Sequence, residues 1–150
     1  MLHYLTQLEE LRAILLSDTA QLTIQQVNHI PLGFNNNIIW NMGHLLVISE
    51  DILYGSIEAN RPLHEFEIMG FKRGTKPGRD IDSKTITSIR ESLAATAPSF
   101  RKLMDHASLA HPELQYDDLI RSIVSKVSLG FLIFHEKMHI SAINNIMLHL

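Results

Sequence analysis

Cysteine is absent from the 150 residues of this chain, and a basic excess is absent as well. Without cysteine, a disulfide scaffold, a catalytic thiolate and zinc held by cysteine sulfur are all excluded. Thirteen basic residues against 16 acidic ones give a formal net charge of −3. Generic nucleic-acid binders need a basic face, so we expect no nucleic-acid partner.

Long hydrophobic runs are also missing. No stretch reaches the roughly 18 uninterrupted apolar residues that a membrane span requires, so we expect no membrane association. The first seven residues lack a basic segment followed by an apolar one, which argues against a signal peptide. The apolar fraction of 45% and the charged fraction of 19% are ordinary globular values. We therefore expect one compact cytoplasmic domain over residues 1–150.

Apolar residues recur in three- and four-residue steps, which predicts an all-α fold, a four-helix bundle. The first helix should run from about residue 2 to 20 and the second from a cap at Asn36 or Asn37 to about residue 57. The third should span about 83–107, and the fourth should start near 117 or 118 and continue toward 149. A short turn capped by Thr23 is expected between the first two helices.

The apolar positions of each helix predict which face is buried. Arg12 falls off the stripe of the first helix, and Pro98 should kink or break the third. The stripe of the first helix is Leu2, Leu5, Leu8, Leu11 and Leu15. The seam of the third helix is Ile86, Ile89, Leu93, Ala97, Phe100 and Met104. The predicted core face of the fourth helix is Leu119, Ile123, Val127, Phe131, Phe134, Met138 and Ile146.

A long loop, residues 59–82, separates the second and third helices. Loops of this length inside small domains are commonly functional or disordered. Residues 71–79 carry four cations, Lys72, Arg73, Lys76 and Arg79. This segment is either a solvated loop or a flap over a functional site that attracts an anionic substrate. His64 is the one other histidine of interest, because it lies in the same loop.

Three histidines stand out from the nine in the chain. His44 lies in the apolar stretch 38–48, and His135 and His139 form a His-x-x-x-His pair in the apolar stretch 131–140. Positions i and i+4 share a helix face, so both imidazoles of the pair can reach one point. Three imidazoles at one point make a first-row metal site with an open position for water or substrate. The alternative is three core histidines satisfied by hydrogen bonds.

An all-imidazole ligand set suits zinc, nickel, copper, iron or cobalt better than magnesium or calcium. Asn41 and Asp51 share the face of His44, but Asp51 lies about 10 Å further along the helix axis. Glu136 adjoins His135 and points about 100° away from it, so we assign no general base. The alternative interpretation of Asn41, Glu50, Asp51 and Glu136 is that they are surface or helix-interface polar groups. Trp40, one turn before His44, is interpreted as a core aromatic.

The run W-N-M-G-H-L-L-V-I-S-E at 40–50 and the run F-H-E-K-M-H at 134–139 resemble the DinB/YfiT-like superfamily of metal-dependent enzymes. The resemblance implies a four-helix bundle in which His44, His135 and His139 bind a divalent metal ion. It implies nickel or zinc first, and iron after them. Many members follow the last ligand with x-Gly-Gln, whereas this chain has Ile140-Ser141-Ala142, so any reaction that needs the amide is in doubt.

The resemblance also implies candidate functions. Its members include transferases that use thiols such as bacillithiol or mycothiol, and a maleylpyruvate isomerase. We therefore expect a metal-dependent hydrolase or thiol transferase acting on a small molecule, for which an anionic low-molecular-weight thiol would fit the cationic loop. The alternatives are a non-catalytic metal- or ligand-binding module and a purely structural bundle. The second and fourth helices are apolar nearly all round, which would also allow a homodimer.

Overall fold

Six helices and no strands make up the residues that the computed structural model describes, 1–55 and 70–150. The helices, in chain order, are α1 (Leu2–Asp18), α2 (Ile24–Asn28), α3 (Ile38–Tyr54), α4 (Ser83–Ala110), α5 (Tyr116–Ile123) and α6 (Lys126–Met147). The predicted all-α fold is confirmed. The predicted end of the second helix near residue 57, the first part of the long loop and His64 lie outside the described residues.

The four long helices form a closed ring, α1–α4–α3–α6, in which each helix packs against the next. The sequence left open whether the helices that carry the three histidines are neighbours or lie diagonally across the bundle. They are neighbours, because α3 packs directly against α6. The short α2 packs on α3, and α5 packs on α4. No helix in the described ranges is long and apolar enough to cross a membrane.

Side-chain caps mark the starts of α2, α3 and α4. Thr23 and Gln26 form a reciprocal capping box at α2. Asn37 accepts from the backbone N–H of Trp40 at α3, and Asp82 accepts from that of Thr85 at α4. The caps predicted for α2 and α3 are therefore confirmed.

The prediction of a single fourth helix is wrong, because this part of the chain forms two helices, α5 and α6. The chain is extended at Val124 and Ser125, and the Ser125 side chain accepts from the backbone N–H of Ser128 to start α6. A cap at this position begins a new helix with a new phase. The core face of α6 consequently cannot be extrapolated from α5.

The buried face of α6 differs from the predicted one for this reason. Four of the predicted core residues are instead exposed, namely Val127 (83%), Phe131 (51%), Phe134 (65%) and Met138 (47%). The residues of α6 that are buried are Leu129, Leu132, Ile133, His135, Glu136, Ile143 and Ile146. Because α6 is apolar on most faces, periodicity alone could not choose between these two sets.

The predicted seam of α4 is confirmed, since all six of its residues are buried. Pro98 was predicted to kink or break this helix. It does not break it, because α4 continues through Pro98 to Ala110. Pro98 and Ala94 both lie on the exposed side of the helix. The carbonyl that loses its helical partner can therefore be hydrated.

Arg12 is buried with only 2% of its surface exposed, which corrects the prediction that it lies off the apolar face of α1. Its guanidinium donates to both carboxylate oxygens of Glu136 on α6, at 2.7 and 3.3 Å. It also donates to the backbone carbonyls of Leu93 on α4 at 3.3 Å and Leu45 on α3 at 3.4 Å. One side chain thus joins all four helices of the ring.

The Arg12–Glu136 pair lies between two apolar clusters along the bundle. On α1, Leu15 belongs to one cluster, whereas Leu5 and Leu8 belong to the other. On α6, Ile143 and Ile146 belong to the first cluster, and Leu129, Leu132 and Ile133 belong to the second. A buried ion pair at this level fixes the register of the helices, because each charge needs its partner.

Candidate metal centre

The three histidines singled out in the sequence come together between α3 and α6. His44, His135 and His139 each offer one ring nitrogen, and these nitrogens lie within 4.8 Å of one another. The ring centroids are 4.5 to 5.2 Å apart. His44 and His135 are buried and His139 is partly buried. The geometry is that of a compact three-imidazole cluster that could hold a metal ion.

His44 is oriented by the loop that begins at residue 70. Its Nδ1 lies 2.6 Å from the backbone carbonyl of Phe71. A carbonyl can only accept, so Nδ1 carries the proton and Nε2 keeps its lone pair. A hydrogen bond that fixes the tautomer in this way is typical of histidines that ligate metals.

His139 is oriented by Asn41, one turn before His44 on α3. The Asn41 amide nitrogen donates to the backbone carbonyl of Asn37 at 2.7 Å, which assigns the amide orientation. Its Oδ1 therefore accepts from Nδ1 of His139, at 2.8 Å. The sequence placed Asn41 on the face of His44, but the histidine that it orients is His139, on the neighbouring helix.

His135 is the least satisfied of the three side chains. Its Nδ1 is buried and has no hydrogen-bond partner among the residues that the structure describes. Its ring packs near that of Phe131, with 5.6 Å between centroids. An unpaired buried ring nitrogen costs free energy unless a group outside the chain binds it. The cluster therefore fits a metal ion better than it fits three core histidines satisfied by hydrogen bonds.

All three imidazoles favour the neutral form. Burial, followed by the charge of His44, lowers the pKa of His135 to about 4. Burial, followed by the charges of His135 and His44, lowers the pKa of His139 to about 4. Burial also lowers the pKa of His44, against the opposing effect of its hydrogen bond to Phe71. Neutral imidazole is the form that coordinates a metal ion.

Glu136, Asp51 and the other described histidines are not part of the three-histidine cluster. Glu136, next to His135 in sequence, is fully buried and is paired with Arg12 rather than with a histidine. Of the two alternatives predicted for Glu136, a surface group or a helix-interface group, the structure therefore supports the helix-interface group. Asp51 lies on the exposed side of α3. The other histidines that the structure describes lie outside the cluster, and these are His3, His29, His106, His111 and His149.

The loop residue Phe71 belongs to the candidate site, and the sequence did not single it out. Its ring is buried against Gly43, where an added Cβ would lie 2.6 Å from two ring carbons. Trp40 stacks on His44, with 4.9 Å between centroids and 11° between planes. The Trp40 indole N–H donates to the Gly70 carbonyl at 3.0 Å. Part of the cationic loop is thus packed on α3 and orients a histidine, which a purely solvated loop would not do.

Gly43→Ala is expected to destabilise the protein, although alanine normally favours helix over glycine. The added methyl must displace the Phe71 ring, and overpacking of this kind costs about 1–3 kcal/mol, more than the roughly 1 kcal/mol gained in helix propensity. Displacing Phe71 also moves the carbonyl that orients His44. Urea unfolding of the metal-free protein measures the stability loss.

Gly130→Ala on α6 is the matched control for that substitution. The nearest atom to its added Cβ is the Tyr4 hydroxyl at 3.9 Å, an ordinary contact. The control should therefore gain about 0.5–1 kcal/mol from helix propensity. Equal stability changes in the two variants would contradict the role assigned to the Phe71 contact.

Comparison with known proteins agrees with this geometry. The family model of the DinB superfamily matches residues 7–143, a range that includes all three clustered histidines. The chain belongs to the DinB superfamily. No curated protein and no solved structure gives a significant match. Membership in the superfamily and the three-histidine cluster are thus two separate findings, one from the sequence and one from the structure.

Proposed function

We propose that this DinB superfamily protein is a metal-dependent enzyme whose divalent ion is held by His44, His135 and His139. The observation that carries the proposal is the convergence of three imidazole groups, one of which has a buried nitrogen without a hydrogen-bond partner in residues 1–55 and 70–150. Nickel and zinc are the ions we propose first, with iron next, because all suit imidazole ligands. When bound, such an ion acts as a Lewis acid that lowers the pKa of a coordinating water or thiol.

The chain's own residues hold the site ready for that ion. The Phe71 carbonyl and the Asn41 amide oxygen each accept a hydrogen bond from the Nδ1–H of a histidine, which leaves Nε2 of His44 and His139 for the ion. The stacked Trp40 ring restricts the rotation of His44. With two of three ligands held in position, less conformational entropy is lost when the ion binds.

The reaction we propose is hydrolysis or the transfer of a small thiol to an electrophile. Three protein ligands leave a coordination position open, which is the arrangement of catalytic rather than structural metal sites. The competing proposal is a metal-binding module without turnover. It is favoured by one observation, since the carboxylate nearest in sequence to a ligand, Glu136, is committed to Arg12 and cannot serve as a general base.

Elemental analysis of tag-free protein purified without chelators tests the metal site. We expect about one nickel, zinc or iron ion per chain. In the triple variant His44→Gln/His135→Gln/His139→Gln the metal should be lost, whereas replacing three exposed histidines, His3, His29 and His106, should leave it in place. A wild-type chain that holds no metal even after reconstitution would refute the enzyme and the metal module alike.

Activity assays then separate the two proposals that remain. The metal-loaded protein is assayed with chromogenic esters, and with an electrophilic alkylating probe plus bacillithiol or mycothiol. An enzyme shows turnover that disappears in His44→Ala and in metal-free protein. Bound metal without turnover on either panel favours the non-catalytic module.

A further inference from the structure

A cleft of about 420 Å³ opens beside the three-histidine cluster, between the first turn of α3 and the loop of residues 70–81. This volume lies in the range of small-molecule sites. Two residues that line the cleft also contact His44. Trp40 stacks on the His44 ring, and the Phe71 carbonyl accepts a hydrogen bond from His44 Nδ1. The cleft and the candidate metal centre therefore share a wall.

The walls of the cleft are held in place from both ends of the loop. At its start, Phe71 is buried against Gly43 and the Trp40 indole donates to Gly70. At its end, the side chain of Asn28 on α2 accepts from the Ile81 N–H at 2.8 Å and donates to the Ile81 carbonyl at 2.9 Å. Because these anchors are buried or paired, the cleft is largely preformed, as small-molecule sites usually are.

The charged side chains that line the cleft are Lys76 and Arg79, and both are cationic. This is a local property, because the chain as a whole carries a formal net charge of −3. No acidic side chain from the described part of the chain lines the cleft. The 17-residue helix α3 begins at this cleft, so the positive end of its dipole adds to the two cations.

We propose that this cleft binds the anionic end, a carboxylate or a phosphate, of a small molecule whose other end reaches the three-histidine cluster. Lysine supplies a point charge for such a group, and arginine a planar fork that matches it in geometry. The role of this ligand as a substrate rests on the proposed function. Binding of the anion itself needs no metal and can be tested without it.

The protein contains a built-in reporter, since Trp40 is its only tryptophan and lines the cleft. Metal-free full-length protein is titrated with inorganic phosphate and, separately, with malonate, against sodium chloride at matched ionic strength. We expect a saturable change in Trp40 fluorescence with at least one of the two anions and none with chloride. A response to phosphate alone assigns a phosphate group, and a response to malonate alone assigns a carboxylate.

Two double variants of equal charge separate the cleft from the net charge of the protein. Lys76→Gln/Arg79→Gln removes both cleft cations and should weaken anion binding by about tenfold or more, since two charge-assisted hydrogen bonds are lost. Lys72→Gln/Arg73→Gln removes two cations of the same loop that do not line the cleft. We expect the second variant to bind within about threefold of wild type, because exposed charges at a distance are screened.

The absence of a saturable response, or equal weakening in both double variants, would overturn the proposal. Failure of the metal site gives a different result, because anion binding would persist in a chain that binds no metal. The metal content of Lys76→Gln/Arg79→Gln should equal that of wild type, since neither residue belongs to the cluster. Loss of metal in this variant would contradict the separation of the two sites.

Discussion

Arg12→Met is expected to lower the free energy of unfolding by about 3–5 kcal/mol, because it leaves the Glu136 carboxylate buried without its counter-charge. Glu136 has no exposed surface, and Arg12 is its ion-pair partner. For a chain of this size, each kcal/mol shifts the melting temperature by about 2–4 °C, so a loss near 10 °C should be seen. Urea unfolding followed by circular dichroism measures the change in free energy.

The matched control is Arg121→Met, which breaks an ion pair on the surface. Arg121 and Asp118 form a salt bridge at 3.1 Å, with side chains 59% and 57% exposed. Such pairs contribute about 0–1 kcal/mol, so this variant should unfold close to wild type. If both arginine variants lost the same stability, the burial of the Arg12–Glu136 pair would not be the cause.

The double variant Arg12→Met/Glu136→Leu tests whether the stability loss comes from the unpaired Glu136 charge or from other lost contacts of Arg12. Replacing a buried ion pair by apolar residues of similar volume is often neutral or stabilising. The double variant should therefore recover most of the stability that Arg12→Met loses. A double variant as unstable as the single one would instead assign the energy to the hydrogen bonds that Arg12 gives to Leu45 and Leu93.

Acid should destabilise the metal-free protein through the three clustered histidines. Burial lowers the pKa of His135 and of His139 from the usual 6.5 to about 4. Between these two pH values the unfolded chain binds protons that the folded chain does not, so stability falls as the pH falls. Their full contribution is present above about pH 6.5 and is lost as the pH approaches 4.

The expected loss of unfolding free energy is on the order of 3 kcal/mol. This value counts His139 at less than its full shift, because solvent screens a partly buried group. Unfolding in urea at about pH 7 and at about pH 4.5 measures it. His135→Gln/His139→Gln should show a much smaller difference between the two pH values. The control His29→Gln/His106→Gln removes two exposed imidazoles instead. An acid loss that is unchanged in the cluster variant would refute the assignment to these histidines.

Saturating metal should raise the stability of the wild-type protein at neutral pH, because the ion binds the folded chain. That gain should disappear in the same acidic window, since coordination requires neutral imidazole. In the metal-loaded protein, protonation of the histidines and loss of the ion should therefore both lower stability as the pH falls. In His135→Gln/His139→Gln, the gain from metal should be absent and the acid loss much smaller.

Much of the fold follows from local features of the sequence. Helix starts at Ile24, Ile38 and Ser83 depend on caps within three residues, and the seam of α4 is an unambiguous three-and-four pattern. The same local logic indicated the three histidines, because a His-x-x-x-His pair in an apolar helix places two rings on one face. Features that extend over a few residues can be read without the tertiary structure.

Predictions failed where the outcome depended on distant partners. α6 is apolar on most faces, so only its packing against α1 and α3 decided that Phe134 faces outward while Leu132 is buried. Arg12 is separated by 124 positions from Glu136, and a charged residue is buried only where such a partner exists. The buried residues of α1, which are Leu5, Leu8, Arg12 and Leu15, follow three- and four-residue steps, so periodicity is compatible with a core position for Arg12. It does not indicate the partner that allows a charge to be buried there.

The sequence by itself determined the helical class of this DinB superfamily protein and the identity of the three clustered histidines. Only the tertiary structure decided what surrounds them. The group that orients His44 is a backbone carbonyl of Phe71, and a backbone carbonyl carries no signature in the sequence. The cleft between α3 and the loop likewise exists because the ring of Phe71 fits against a glycine 28 positions earlier in the chain, Gly43. Contacts between segments that are distant in sequence form only when the bundle closes.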